Sequence, residues 1–381
     1  MRSVPRYVGV ILFVGVVGGA AGAVSPPQGG VPLPPKPIKT TPPKDWADAE
    51  TTAKQKKNAE TRALFESSAP LEFTLSGNFK QIQGDRMPTS TKTFPATIEF
   101  QQTDGSPTRI DIPVRTRGQI RRSYDVCSFA PIRLEFPKGT GKGTVFDGQE
   151  HLKLVTHCRD FKEAEQYPLR EYAAYRIFNL LTPKSFRARL VNVTYFNTAG
   201  NKSLGTHHGM LIEDDSDLAK RIEGRIVTQT PLLSRLDRDY FTLVTTFFYM
   251  IGNLDVSVIG QHNVKLVQTR DRAVYAVPYD FDYSGLVDTP YALPPKELQV
   301  ASVRDRMYRG PCRSTPELET FFAQFRAIRP AIAALYDSIS DFDAKGKKRA
   351  LEFLDQFYRT LDRPVVVKRD FTANCLKKGL M

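Results

Sequence analysis

The chain has 381 residues, a formal net charge of +13, 27 prolines and four cysteines. This length is sufficient for one large domain or for two lobes that share a cleft. The positive charge suits contact with an anionic polymer, a membrane surface or nucleotide phosphates. A nucleic-acid-binding protein is disfavoured, because the sequence contains no basic motif with interleaved aromatic residues.

The N-terminus predicts an export signal. Arg2 and Arg6 accompany an apolar run over residues 7–22, which is short for a membrane span. Ala21-Gly22-Ala23 then offers a cleavage site with small residues, so we predict a signal peptide over residues 1–23. The alternative is a retained N-terminal anchor. We expect an exported protein, periplasmic, at the cell surface or extracellular, with no stable membrane span after cleavage.

Residues 24–69 are predicted to form a linker. Eight prolines between Ser25 and Asp45 favour an extended, polyproline-like chain that cannot bury a core. Residues 44–63 are polar and rich in Ala and Lys, which is compatible with a short exposed helix. The folded domain is then expected over residues 70–375, with a strand-rich lobe to about residue 213 and a helical lobe from about residue 214.

The cysteines predict two disulfides. In an exported chain, four cysteines allow three pairings. Cys127 and Cys158 bracket two strand-like runs, and Cys312 and Cys375 both lie in the C-terminal part. We therefore favour the pairs Cys127–Cys158 and Cys312–Cys375. A zinc site is a poor alternative, because no two cysteines lie two to four residues apart.

Hydrophobic periodicity predicts an α+β fold. Alternation of polar and apolar residues over 71–75, 96–100, 109–115, 131–136 and 151–155 predicts an antiparallel sheet with one buried face. A helix over 163–181 and strands over 187–196 and 207–213 follow. Helices over 235–252, 316–340 and 343–361 then precede a short extended segment over 365–371. This order predicts an antiparallel-sheet N-terminal lobe and a mainly helical C-terminal lobe.

Two neighbouring loops carry a candidate site. Asp255 and Asn263 lie in the first loop, and Asp280 and Asp282 lie in the second, directly after an apolar run. Mg²⁺ and Mn²⁺ prefer oxygen ligands, and phosphoryl transfer also needs a carboxylate that accepts the proton of the nucleophile. We assign Asp280 as the principal metal ligand, with Asn263 and Asp282 beside it. The alternative is that these residues only form turns.

Lys153 on a strand precedes Glu171 on the next helix, the order in which protein kinases hold a lysine against phosphates. Arg117 and Arg133 are rival phosphate contacts, because a guanidinium group binds phosphate in a bidentate manner. The alternative is an exposed strand lysine and an unrelated surface glutamate. The sequence contains no P-loop spacing and no hydrolase motif.

Seven short motifs between residues 109 and 284 have the order and spacing of a known family. They are Val114-Arg-Thr-Arg-Gly118, Arg133-Leu-Glu-Phe136, Leu152-Lys-Leu-Val155, Pro168-Leu-Arg-Glu-Tyr-Ala-Ala-Tyr-Arg176, Phe186-Arg-Ala-Arg-Leu-Val191, Asp255 with His262-Asn263, and Val277-Pro-Tyr-Asp-Phe-Asp282. In these motifs the chain resembles the CotH-type kinases, secreted or spore-coat proteins with an atypical protein-kinase-like two-lobe fold. It departs from the family at Arg117-Gly-Gln-Ile120, where Arg-Gly-Asn-Ser is usual, and at Tyr279, where Trp is usual. The gap between Asp255 and Asn263 is also longer than in ordinary kinase catalytic loops.

The resemblance implies transfer of phosphate from ATP, with Mg²⁺ or Mn²⁺, to a hydroxyl group of a secreted or cell-surface protein. It implies that Asp255 is the catalytic base, that Asp280, Asn263 and Asp282 hold the metal, and that nucleotide phosphates meet Lys153. An alternative function is a catalytically inactive kinase-like domain that binds a surface protein or wall polymer. A third is a phosphotransferase that acts on sugars or other small molecules.

Overall fold

The structure, a computed structural model, describes residues 46–229 and 233–376. The predicted signal peptide and nearly all of the predicted proline-rich segment therefore lie outside the described residues. Within the described ranges, no helix has both the length and the apolar character needed to cross a membrane.

The strands form two sheets, one of which is a closed barrel with the strand order β1-β2-β3-β4-β5-β7-β6, and the other a sheet with the order β10-β9-β8. Their bounds are β1 Leu71–Gly77, β2 Phe94–Gln101, β3 Pro107–Thr116, β4 Ile132–Glu135, β5 His151–Val155, β6 Ala188–Asn197, β7 Lys202–Ile212, β8 Gly224–Val227, β9 Val264–Thr269 and β10 Val274–Pro278. The five predicted runs between residues 71 and 155 all coincide with barrel strands.

The helices lie before, between and after these strands. Their bounds are α1 Ala49–Glu60, α2 Phe79–Gly84, α3 Gln166–Leu181, α4 Asp215–Arg221, α5 Arg238–Ile251, α6 Thr315–Ser338, α7 Ala344–Leu361 and α8 Pro364–Val367. The extended segment predicted over 365–371 is wrong, because α8 continues into a π-helix over Lys368–Ala373. Pro364 occupies the first turn of α8, where its missing N–H is not needed, so the helix begins despite the valines that follow.

The predicted antiparallel-sheet lobe of a kinase-like two-lobe fold is also wrong. β1 runs parallel to β6, with Leu71 opposite Val191 and Gly77 opposite Asn197, and this pairing closes the sheet into a seven-stranded mixed barrel. The alternation of inward and outward residues is the same in an open sheet and in a barrel, so the pattern of each strand does not reveal closure. The two paired strands are also far apart in the chain, which leaves no local signal of their pairing.

One part of the barrel is buried on both faces, β5 together with the adjoining ends of β6 and β7 over residues 188–191 and 209–212. The inner face of the barrel packs around aromatic and aliphatic residues that include Phe73, Leu134 and Leu154. The outer face of this part packs against α3 and the other helices of the helical core, through residues that include Val155 and Met210. As a result, polar residues on this outer face lie beneath the helical part and not in solvent.

The chain before β1 contacts the folded part, although it falls within the predicted linker. Leu64 is completely buried and belongs to the barrel core. Arg62 pairs with Asp217 of α4 at 2.8 Å, and Lys56 of α1 pairs with Glu223 at 2.7 Å. Residues 49–65 are therefore anchored at the start of the described chain by one buried side chain and two ion pairs.

Both predicted disulfides are present, one joining Cys127 to Cys158 and the other joining Cys312 to Cys375. They are compatible with an exported protein. The first disulfide ties the segment after β3 to the residues after β5, and the backbone N–H of Phe129 donates to the carbonyl of Cys158 at 3.0 Å. That segment carries Arg121, which enters the candidate site described below.

We predict that replacing Cys127 and Cys158 together by alanine lowers the free energy of unfolding by about 3 to 4 kcal/mol, because the cross-link closes a loop of 31 residues. Urea denaturation without reductant, compared with the parent protein, measures the difference. A loss below about 1 kcal/mol would show that the loop is held by its hydrogen bonds alone. The matched double alanine variant at Cys312 and Cys375 controls for the loss of a disulfide elsewhere.

Candidate functional site

The first loop holds Asp255 and Asn263 together. The Asn263 Nδ2 group donates to the backbone carbonyl of Asp255 at 2.8 Å and to its Oδ2 atom at 3.0 Å. His262 Nε2 lies 3.1 Å from Asp255 Oδ1. Because a carbonyl can only accept, the bonded atom of Asn263 is its nitrogen, and its side-chain oxygen is left available. The longer gap between the two residues forms a small hairpin, paired through backbone hydrogen bonds between Ser257 and His262 of 3.1 and 2.8 Å.

The second loop begins where β10 ends. The backbone N–H of Tyr279 donates to the carbonyl of Asn263 at 3.0 Å, so the two loops are joined directly. Asp280 has a φ of 63°, a left-handed conformation that Asp and Asn tolerate better than most residues. Its backbone N–H donates to the Tyr175 hydroxyl of α3 at 2.9 Å. The conformation of Asp280 is therefore held from two sides.

Glu171, Asp280 and Asp282 are close enough for their charges to act on one another, and we call these three carboxylates the acidic cluster. Glu171 and Asp282 are buried, and Glu171 Oε1 has no hydrogen-bond partner. The Tyr291 hydroxyl donates to Asp282 Oδ2 at 3.0 Å. Burial and the charge of Asp280 raise the pKa of Asp282 to about 7, and burial with the charges of Asp282 and Asp280 raises the pKa of Glu171. With all three carboxylates ionised, the cluster would carry more negative charge than its surroundings balance, and this favours the protonated forms of Glu171 and Asp282.

The positive charge of Arg121 partly offsets the negative charge of this cluster, because it lowers the pKa of both Asp282 and Glu171. Arg121 is buried, and its Nη2 group donates to the carbonyl of Thr156 at 2.6 Å, while its Nε atom has no hydrogen-bond partner. Burial alone would lower the pKa of Arg121, but Tyr291, Asp282 and Glu171 outweigh it and raise that pKa. In the described ranges, no Lys, Arg or His nitrogen lies within 4.0 Å of an oxygen of the acidic cluster.

The acidic cluster offers the oxygen donors that a divalent cation prefers, although the carboxylate oxygens of its three members do not all lie within 4.8 Å of one another. Glu171 Oε1 is a buried oxygen without a partner, and the free side-chain oxygen of Asn263 lies on the adjoining loop. Carboxylate and amide oxygens are the donors that Mg²⁺ and Mn²⁺ prefer. A cation there would remove the repulsion that raises the pKa of Asp282. The residues that could hold it are those predicted from the sequence, Asp280, Asn263 and Asp282, together with Glu171.

We call Lys153, Lys265 and Arg117 the basic cluster, because the two lysines lie near the ring of Tyr279 and the charge of Arg117 acts on Lys153. The Lys153 ammonium group lies 4.9 Å from the ring centroid and that of Lys265 lies 5.5 Å from it. Both lysines pair with Asp215, Lys265 at 3.1 Å. Burial lowers the pKa of Lys153, and the charges of Arg117 and Lys265 add to that effect. The side chain of Arg117 has no hydrogen bond or ion pair within the described residues.

Lys153 pairs with Asp215 and not with Glu171. Lys153 lies opposite Ile212 in the pairing of β5 with β7, and Asp215 follows β7 directly at the start of α4. The register of β5 with β7 therefore places Asp215 within ion-pair distance of Lys153, whereas Glu171 on α3 forms no ion pair with it. Burial would raise the pKa of Asp215, but Lys153 and Lys265 outweigh it and lower that pKa. Glu171 instead belongs to the acidic cluster, where the charges of Asp282 and Asp280 act on it.

Arg133 is less available to phosphate than Arg117. It lies opposite Lys153 on β4, on the same outer face. Its Nε atom is 3.0 Å from Glu135 Oε1, and Arg115 contacts the same carboxylate atom at 3.0 Å. The charge of Arg117, by contrast, acts on Lys153 and Tyr279. Of the two arginines that the sequence offered as phosphate contacts, Arg133 is already engaged by Glu135, and Arg117 is the better candidate.

Three residues of the site were not identified from the sequence. Asp215 resembles any acidic residue in the first turn of a helix, and Lys265 resembles any exposed strand lysine. Arg121 belongs to a short 3₁₀ turn over Ile120–Arg122, next to another arginine. The run of basic residues after Gly118 was a signal for phosphate or carboxylate contacts, but it does not indicate which arginine is buried.

A separate polar group contains His157, Asp160 and His207, whose ligand atoms lie within 4.8 Å of one another. His207 Nδ1 is 2.6 Å from Glu165 Oε1, and its Nε2 is 3.1 Å from the carbonyl of Leu204. Both partners can only accept, which indicates a protonated ring. Burial opposes this state, but Glu165 outweighs it and raises the pKa of His207. The ring also stacks on His157 at 3.7 Å, so this group is a poor metal site.

We predict that Asp282→Asn stabilises the metal-free protein at pH 8 by roughly 2 to 4 kcal/mol, because the amide removes the charge that burial and Asp280 disfavour. Since the folded-state pKa is raised, the parent protein should lose stability as pH rises from about 4 to 7, and the variant should lose less. Urea denaturation with a chelator at pH 5 and 8 measures both. Asp355→Asn, which removes an exposed partner of Arg329, is the control and should change little.

No protein-family model matches the chain, and no curated protein matches it. Among solved structures, the chain is similar to the crystal structure of a Helicobacter pylori proinflammatory kinase, CtkA. The identity is 13%, the TM-score is 0.34, and the match covers 79% of this chain and 98% of that chain. A likeness this weak assigns neither a fold nor an activity, so the function of the site must rest on its own geometry.

Proposed function

We propose that this protein is an exported phosphotransferase that uses ATP and a divalent cation to phosphorylate a hydroxyl group of a protein. One observation carries the proposal: an acidic cluster in which Glu171 and Asp282 are buried lies beside a basic cluster whose Arg117 side chain forms no ion pair with any described residue. Phosphoryl transfer needs both, a site for a cation and cationic side chains for the phosphates. The basic and acidic clusters meet at consecutive residues, Tyr279 and Asp280.

Asp280, Asn263 and Asp282 would hold the cation, and Glu171 would complete or orient this set. Bound there, a Mg²⁺ or Mn²⁺ ion would neutralise charge on the phosphate oxygens. The chain itself fixes the ligands: Tyr175 holds the backbone of Asp280, and Tyr291 holds the carboxylate of Asp282. Such second contacts reduce the reorganisation that binding requires.

Lys153, Lys265 and Arg117 would contact the phosphates. Asp215 keeps both lysines in place, as a glutamate does for the phosphate-binding lysine of protein kinases. Arg117 forms no ion pair with a described residue, so its guanidinium group can bind phosphate without first breaking one. Burial lowers the pKa of Lys153, and a phosphate group nearby would restore the preference for its charged form.

Asp255 would accept the proton of the acceptor hydroxyl. Its carboxylate is held on both oxygens, by His262 on Oδ1 and by Asn263 on Oδ2. A base held in this way keeps one orientation while the acceptor approaches. Its side chain remains 30% exposed, so an incoming hydroxyl group can reach it.

Arg117→Ala is expected to weaken binding of Mg²⁺–ATP by about tenfold or more, because it removes a charge-assisted contact to phosphate. Arg133→Ala is the matched control and should leave the dissociation constant within about twofold, because Arg133 pairs with Glu135 and is not available to phosphate. Arg115, which contacts the same carboxylate, would keep Glu135 paired in this variant. Isothermal titration of each variant gives the dissociation constants. Equal losses in the two variants would contradict the assignment of Arg117.

Asp280→Asn and Asp255→Asn should separate binding from transfer. Asp280→Asn removes a charge that holds the cation, so the rise in melting temperature on adding Mg²⁺–ATP should largely disappear. Asp255→Asn should keep that rise but lower the transfer rate by at least about a hundredfold, because the base acts on the acceptor and not on ATP. Thermal shift and transfer of labelled phosphate measure the two effects.

The catalytically inactive binding domain makes a different prediction for the same experiment. It predicts no transfer in the parent protein or in any variant. If neither substitution changes Mg²⁺–ATP binding or stability, the site is not a nucleotide site at all. Asp355→Asn again serves as the control for loss of a carboxylate elsewhere.

A further inference from the structure

We propose that an apolar cavity beside the Ser257–His262 hairpin binds a large apolar side chain of the acceptor polypeptide, within two residues of the hydroxyl group that is phosphorylated. This inference rests on the proposed phosphotransferase function and specifies its acceptor. The acceptor is therefore a polypeptide segment that carries a serine or threonine next to a residue such as leucine, methionine or phenylalanine.

The cavity has the size of one such side chain. Its volume is about 160 Å³, and Phe241 and Phe248 of α5 line it together with Val256, Val258 and Met307. An engineered cavity of about 150 Å³ with similar walls binds benzene, which gives the scale of the group that fits. An apolar lining of this kind favours an apolar occupant, because binding removes apolar surface from water.

Asn253 indicates that the occupant also brings a hydrogen-bond acceptor. This residue lines the cavity and is 3% exposed. Its Oδ1 atom accepts from the backbone N–H of Asp255 at 3.1 Å, which identifies that atom as the oxygen. Its Nδ2 atom is buried and has no hydrogen-bond partner. A buried donor without an acceptor is unfavourable, and a backbone carbonyl of a bound polypeptide would satisfy it.

The cavity adjoins the residue proposed to receive the acceptor hydroxyl. Asn253 and Val256 both line it, and they flank Asp255 in the chain. An extended polypeptide advances by about 3.3 to 3.6 Å per residue. A side chain one or two residues from a hydroxyl group at Asp255 therefore reaches the cavity.

Charge complementarity also favours an acidic segment of polypeptide. Arg309 lines the cavity, and its Nη1 atom donates to the carbonyl of Val256 at 3.4 Å. In the part of the chain that the structure describes, Arg309 has no carboxylate within 4.0 Å. An Asp or Glu beside the apolar residue of the acceptor would pair with this arginine at the rim.

The test uses the full-length chain and synthetic peptides. With Mg²⁺–ATP, an oriented peptide library with one fixed serine should be phosphorylated best where Leu, Met or Phe lies within two residues of that serine. A fluorescent peptide chosen from this set should bind at least tenfold more tightly than its counterpart with Ala in place of the apolar residue, as measured by anisotropy without nucleotide.

Met307→Trp should fill the cavity and reduce that difference to less than about twofold, without changing the Mg²⁺–ATP thermal shift. Met87→Trp, at a methionine that is 67% exposed and outside the cavity, is the matched control and should keep the tenfold difference. Val258→Thr preserves the volume but adds a hydroxyl group, and it should weaken the apolar preference even if Met307→Trp unfolds the protein.

The results separate this inference from the proposed function. Phosphorylation of the library without any apolar preference, or a preference that survives both cavity variants, would overturn the acceptor pocket while leaving the phosphotransferase intact. Apolar binding by anisotropy without transfer of phosphate to any peptide would support the pocket and overturn the proposed phosphotransferase.

Discussion

The burial of both faces of β5 and of the adjoining ends of β6 and β7 is the constraint on which the site depends. The inner face fills the barrel, and the outer face packs on α3. Because the outer face is covered, Lys153 becomes a buried ammonium group beside Tyr279 and not a surface lysine. α3 contributes Glu171 and Tyr175, which are one helical turn apart, to the same site. The packing of α3 on the barrel therefore also determines that Lys153 and Glu171 both lie at the candidate site.

The charges meet in an arrangement that folding alone does not favour. Burying a carboxylate costs free energy unless a cation or several hydrogen-bond donors accompany it. The acidic cluster has Arg121 nearby and a hydrogen bond from Tyr291, yet Glu171 Oε1 has no partner. Sites of this kind gain stability when a ligand binds, so binding and folding are linked. Buried carboxylates with raised pKa values are enriched at functional sites.

Local features were predictable from the sequence, and long-range ones were not. The period-two alternation indicated the strands from β1 to β5, and helical spacing with Gly252 indicated α5, because these signals arise from residues close together in the chain. Barrel closure depends on β1 meeting β6, and the partner of Lys153 depends on the register of β5 with β7. Both contacts join segments that are distant in the sequence, so the residue pattern of neither segment predicts them.

The candidate site shows the same division. Asp255 and Asn263 lie eight residues apart in the one loop to which the sequence analysis assigned them, and their hydrogen bond is a local contact within that loop. Arg121 enters from a 3₁₀ turn far earlier in the chain. Its neighbour Arg122 is buried too and bonds the carbonyl of Thr116, so residue type alone could not separate the two.

The Cys127–Cys158 disulfide restrains the segment that brings Arg121 to the acidic cluster. It lies six residues after Arg121 and ties that segment to the chain just beyond β5. Arg86 adds hydrogen bonds to the carbonyls of Cys127 and Ser128, at 3.1 and 2.7 Å. The position of the arginine beside the carboxylates is thus secured partly by a covalent bond. A chain whose thiols were reduced would lack that restraint, and the guanidinium group of Arg121 would be held beside the carboxylates by non-covalent contacts alone.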